Sequence, residues 1–210
     1  MLQRLRGTWA LVVLAALLAS PATALPFSNL YVFGDSLVDA GNTQAAVLAA
    51  TGGAVDVTPA AAGYFAGRFS NGPTGADVLN QAIEGSNSLA SLFGGDNFAF
   101  GGARARTDAD FIPDLTQQVG MFLGSVAGVA DPGALYLINV GGNDARDIVL
   151  GGLVGAARQA VIDAAVLSIT TGIRALDVSG AQHFLVAGVG HRAAGLHRRR
   201  HQHAGRGPHR

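Results

Sequence analysis

Four short apolar runs, Leu30–Phe33, Asn97–Phe100, Leu135–Val140 and Phe184–Val189, each give way at once to small or polar residues. Runs of this length, bounded by turn residues, read as buried strands. Helical patterns lie between them. Ile162, Val166, Ile169, Ile173 and Leu176 fall on one helical stripe that Ser179-Gly180 closes. Ala76–Ile83 and Leu115–Leu123 read as shorter helices, and residues 41–66 and 84–96, rich in Gly, Ala and Asn, as loops or short helices. Strands alternating with helices predict a parallel sheet joined by right-handed crossovers, an α/β sandwich. In such sheets ligands bind beyond the carboxyl ends of the strands, near the point where strand order reverses. Ser36 follows the first run, Gly101-Gly102 the second and Gly141-Gly142-Asn143-Asp144 the third, so the three are expected to share one crevice.

Each segment has a chemistry. A serine hydroxyl is a weak nucleophile until a base takes its proton. The residues around Ser36 do not form a G-x-S-x-G elbow, because Val38 stands where the second glycine belongs. Acyl transfer also needs aligned N–H donors for an oxyanion, and glycine lets the backbone approach a substrate closely. Phe33-Gly34-Asp35-Ser36-Leu37-Val38-Asp39-Ala40-Gly41-Asn42, then Asn97-Phe98-Ala99-Phe100-Gly101-Gly102-Ala103, then Val140-Gly141-Gly142-Asn143-Asp144 resemble, in order, the first three blocks of the GDSL (SGNH) serine ester hydrolases. The resemblance covers about residues 28–189. It implies a flavodoxin-like three-layer α/β/α sandwich with a parallel sheet. It also implies cleavage of carboxylic esters, lipid esters among them, without metal or organic cofactor. Ser36 would be the nucleophile, and Ser36 N–H, Gly102 N–H and the Asn143 amide the oxyanion donors. Asp39 and Asn42 read as loop braces. Gly67-Arg68-Phe69-Ser70-Asn71-Gly72-Pro73 resembles a segment of the lipase-like branch, with Arg68 bracing a loop, lining the substrate entrance or pairing with a carboxylate.

The family's fourth block, Asp-x-x-His, supplies the base and the acid that orients it. No Asp or Glu follows Asp177 in this sequence, so that block cannot be formed from it. The expected domain over residues 25–190 therefore lacks its last strand and helix, and the chain is expected to be impaired as an esterase. The alternatives are a non-catalytic extracellular binding remnant and an unstable truncated product.

Charge marks the change of character. Net charge is zero, yet residues 1–190 carry eight Arg against fourteen acids, and residues 191–210 carry six Arg and no acid. Five of the six histidines lie in that last stretch, which lacks periodicity and reads as an aberrant tail, compatible with a frameshift. His197, His201, His203 and His209 are open to weak metal contact and Arg198-Arg199-Arg200 to anionic lipid or nucleic acid, without a dedicated site. His191 follows the fourth run without a partner acid. At the other end, Arg4 and Arg6, the apolar stretch Trp9–Ala19 and Ala22-Thr23-Ala24 form a secretory signal over residues 1–24, cleaved after Ala24. The expectation is a secreted or periplasmic protein with no membrane span after cleavage. No cysteine is present, which excludes disulfides and a cysteine nucleophile.

Overall fold

The computed structural model describes residues 25–188. The expected signal segment and the His/Arg-rich tail, including His191, lie outside the described residues. Three parallel strands, β1 (Leu30–Gly34), β2 (Leu135–Asn139) and β3 (His183–Ala187), stand in the order β1-β2-β3, with Leu30, Leu135 and His183 in register. The expected strand at Asn97–Phe100 is not regular. It forms a parallel bridge to Val32 and continues as a row of bonds, Val32 N–H to Asp96 O, Phe98 N–H to Val32 O and Phe100 N–H to Gly34 O. The row is interrupted at Gly34, whose N–H donates to a side chain, Gln118 Oε1, at 2.8 Å and not to Phe98 O.

The chain thus leaves β1 toward one flank, returns past it to β2 and proceeds to β3. β1 is the point where the direction of winding reverses. Right-handed crossovers in opposite directions place their helices on opposite faces. Helix α2 (Gly75–Glu84), on the outward crossover, covers Leu30, Val32, Leu135 and Leu137. Helices α3 (Leu115–Ser125) and α5 (Gly155–Val178) lie on the return and cover Phe33, Tyr136 and Ile138. The result is the expected three-layer α/β/α sandwich. Phe122 of α3 fills the centre of its layer and meets Tyr31, Phe33, Phe98 and Tyr136 ring to ring.

Helix α1 (Asn42–Ala50) accounts for part of the stretch expected to be loop or short helix. Two features of the helices bear on the site. Asn143 lies in the first turn of a helix, α4 (Gly142–Leu150). The stripe on α5 is buried only toward its end: Leu176 is fully buried, whereas Ile162 and Val166 are 39% and 54% exposed. A helix of 24 residues is about 36 Å long, about twice a five-residue strand. Its first half therefore runs past the sheet at the carboxyl end.

Candidate active site

β1 must end close to its neighbours, and Gly34 permits it. A Cβ there would run into the carbonyl of Asn139 and the Val38 side chain. From α3, the buried Gln118 reaches under this point. Its Oε1 accepts from Gly34 N–H at 2.8 Å and its Nε2 donates to Gly34 O at 2.9 Å. The chain then turns through Asp35, Ser36 and Leu37, with Ser36 half-buried at the carboxyl end of the sheet.

Two aspartates of the first segment face the other two. The Asp39 carboxylate, fully buried, accepts from the N–H groups of Gly41, Asn42 and Thr43 at 2.7, 2.8 and 3.2 Å. It thereby caps α1, whose own N-cap is a left-handed glycine without a side chain. The same carboxylate accepts from Gly101 N–H at 2.9 Å, which fixes the second segment. The Asn42 amide donates to the carbonyls of Asn97 and Ala99, clipping that segment again. Asp35 lies against the start of α4: a Cβ on Gly142, the first residue of α4, would stand 3.3 Å from its Oδ2. Its carboxylate accepts from Leu37 N–H at 3.0 Å. Burial pushes the Asp35 carboxyl up, with the charge of nearby Asp144 adding to it, against the opposing pull of the Leu37 and Gly142 N–H groups.

The second and third segments also join directly. Asn143 Nδ2 donates to Ala103 O at 2.8 Å, and Asp144 accepts from Ala105 and Arg106 N–H at 2.7 and 3.2 Å. The second segment is thus bonded to both of the others, and Asp35 N–H donates at 3.1 Å to Asn139 O, just before the third. Ser36, Gly102 and Asn143 all stand at the carboxyl end, as the sequence reading expects. Gly102 has φ +91°, and a Cβ there would lie 2.7 Å from Ile112 Cδ1. Among the described residues, neither Ser36 N–H nor Gly102 N–H donates to a protein acceptor, and the Ser36 hydroxyl has no partner. One N–H of the Asn143 amide is held by Ala103, which leaves the other free.

Arg68 is not at this entrance. It is buried, with Nε and Nη2 on Asp77 at 2.8 and 2.7 Å and further bonds to the carbonyls of Ala66 and Ser88, so it braces a loop. His183, the one histidine among the described residues, starts β3 and meets Phe27 edge to face at 5.4 Å. That is the amino end of the sheet, opposite Ser36. No cluster of three or more metal-ligating side chains occurs among the described residues, and no helix among them is long and apolar enough to cross a membrane.

The sequence reading missed Gln118, which acts across the fold, 84 residues from Gly34. A lone glutamine on an apolar helix face was the only signal for it.

The comparisons with known proteins follow the same segments. The chain is 32% identical over 199 residues to an uncharacterized protein of the trpE-trpG intergenic region of Pseudomonas putida, covering 87% of this chain and 31% of that one. It is 30% identical over 184 residues to Lipase 1 of Photorhabdus luminescens, 84% of this chain and 24% of that one. It is 27% identical over 203 residues to a GDSL esterase/lipase of Arabidopsis thaliana, 80% of this chain and 54% of that one. The chain therefore spans between about a quarter and half of the length of these relatives. The model of the GDSL-like lipase/acylhydrolase family matches residues 30–194, a stretch that contains β1, all three bonded segments and β3. By fold, by the order of its segments and by that match, the chain belongs to the GDSL-like lipase/acylhydrolase family.

Proposed function

We propose that this chain carries the nucleophile and oxyanion half of a carboxylic ester hydrolase that acts on acyl esters, lipid esters included. Ser36 attacks the acyl carbonyl. The oxyanion is received by Ser36 N–H, Gly102 N–H and the free N–H of Asn143, each worth about 3 kcal/mol in the transition state. The observation that carries this reading is the pair of backbone N–H groups without protein acceptors, beside an unpartnered serine hydroxyl and an amide with one N–H to spare. Buried N–H groups are almost always paired, and these two half-buried donors, left open in a braced crevice, are placed to meet an incoming acceptor. The brace also explains why the donors keep their places without substrate, which is what preorganised stabilisation requires.

The base is the part these 210 residues do not provide in the family's form. No acid follows Asp177, and His183 lies at the wrong end of the sheet. A polypeptide of this sequence alone is therefore impaired, and retains a crevice that binds acyl carbonyls without turning them over. Loss of the base in a serine hydrolase costs on the order of 10⁶ in kcat. With an in-frame Asp-x-x-His segment supplied beyond Val189, p-nitrophenyl butyrate is expected to be hydrolysed. Ser36→Ala abolishes that turnover and Asn143→Ala lowers kcat by about 10²–10³. Esterase activity that survives Ser36→Ala overturns the assignment. Robust turnover by the 210-residue chain itself, lost in both Ser36→Ala and His191→Ala, overturns the impaired reading and makes His191 the base.

The working compartment belongs to the same proposal: residues 1–24 direct export, and the enzyme acts outside the cytoplasm from a mature start at Leu25.

A further inference from the structure

Beside Gly102 the surface opens into an apolar groove of about 420 Å³. One wall is a single stripe of α1, made of Thr43, Ala46, Val47 and Ala50, spaced three and four residues apart as one helix face requires. The facing wall includes Phe100 and Ile112. Three of these lining residues touch the glycine turn. Thr43 Oγ1 accepts from Gly101 N–H at 2.6 Å, Phe100 precedes Gly101, and Ile112 Cδ1 lies where a Gly102 Cβ would point. The Thr43 oxygen, the only polar side-chain atom on this stripe of α1, is thus already engaged, and the groove offers predominantly apolar surface. Ala46 and Ala50 are exposed, so the groove is open because these two side chains are small.

The geometry points to this groove as the site of the acyl chain, with Ala46 and Ala50 as the residues that set chain length. Gly102 abuts the lining residue Ile112, so an unbranched chain that leaves a carbonyl held at Gly102 N–H on the Ile112 side enters the groove and runs along the α1 stripe. A volume of 420 Å³ takes on the order of ten methylenes if each is about the 30 Å³ of a liquid water. The meaning given to the groove rests on the ester-hydrolase reading. Its occupancy by a chain does not depend on Ser36, so the two fail separately.

Calorimetric titration of the purified chain with sodium butanoate, octanoate and dodecanoate, below their micellar concentrations, tests the inference. Affinity is expected to rise about fourfold per added methylene, the usual gain for burying one, until the groove is filled. Ala46→Trp and the milder Ala46→Leu, both at an exposed helical position, are expected to weaken dodecanoate binding at least tenfold for Trp and several-fold for Leu. Butanoate affinity stays the same, and unchanged thermal unfolding shows that each variant keeps its fold. Ser36→Ala binds dodecanoate as the parent does. Affinity independent of chain length, or dodecanoate binding indifferent to both substitutions at Ala46, overturns the groove assignment and leaves the nucleophile assignment to the Ser36→Ala turnover measurement.

Discussion

Gln118 shows how much one buried side chain holds at this site. Its amide satisfies both the N–H and the C=O of Gly34 and also reaches Pro113 O. Of the groups it would abandon, Gly34 N–H is buried and loses its partner, whereas Gly34 O keeps Phe100 N–H and Pro113 O is half-buried. One buried unpaired polar group costs about 1–3 kcal/mol, so Gln118→Leu, close in volume, is expected to lower unfolding stability by about 1–3 kcal/mol, read from urea denaturation midpoints at unchanged slope. A loss under about 0.5 kcal/mol, the ordinary range for a surface substitution, shows that the amide is dispensable. The same amide fixes the end of β1 one residue before Asp35, so its loss also loosens the turn that carries Ser36. Asp39 and Asn42 are braces of the same kind, and there the sequence reading agrees with the structure: both are fully buried, and their partners are chiefly backbone groups.

Among the elements, α2 depends on one carboxylate. Asp77 closes a capping box with Thr74 and also takes a bidentate pair from Arg68 and a bond from Ser88 N–H. Burial alone raises its carboxyl, but the Arg68 and Thr74 hydrogen bonds and the Arg68 charge outweigh that and hold it below the ordinary range. An unfolded chain therefore takes up the proton first as pH falls below about 4. The stability this group contributes is complete above that value and is lost as pH drops toward the depressed pKa. Asp77→Asn, which leaves the buried Arg68 without its counter-charge, is expected to cost about 3–5 kcal/mol at pH 7. It also flattens the fall of Tm between pH 5 and 3, measured by scanning calorimetry. An acid limb as steep as the parent's refutes the role. Helix α5 offers a comparison along one stripe. Leu176→Ala removes a fully buried side chain and is expected to cost about 2–5 kcal/mol. Val166→Ala, at a position 54% exposed, is expected to stay within about 0.5 kcal/mol. Equal losses at the two positions, by denaturant midpoint, mean that the overhanging half of α5 is covered in solution.

At the scale of the molecule, β1 lies between the 97–100 row and β2, and the reversal of winding there gathers the three segments. β3 closes the described sheet on the other side, with Leu185 and Val186 41% and 48% exposed. The proposed export of the chain makes a prediction about the whole product. Expressed with its natural N-terminus in a bacterium, the protein is expected outside the cytoplasm with a mass that begins at Leu25. Intact-mass spectrometry of the exported fraction reads this directly, and a product that keeps Met1 in a membrane fraction contradicts it.

Local order was legible because it is encoded locally. An apolar run of strand length, a 3.6-residue stripe on 162–176 and a glycine pair after a strand each carry their own signal within a few residues. The order of the three segments sufficed to place Ser36, Gly102 and Asn143 at one end of a parallel sheet, because right-handed crossovers leave the chain few alternatives. What needed the tertiary structure were matters of contact between distant residues. That Asn143 lies in a helix starting at Gly142 needed the structure, which sets the buried Asp35 carboxyl, 107 positions before Gly142, against that first residue. That Asn97–Phe100 pairs without becoming a regular strand follows from Gln118, which takes the Gly34 N–H that a continuous ladder would give to Phe98 O. That Ile162 and Val166 stay exposed while Leu176 is buried depends on how far the sheet extends beneath the helix. Hydrogen-bond partners and burial are properties of pairs brought together by folding, and a one-dimensional pattern specifies only one member of each pair.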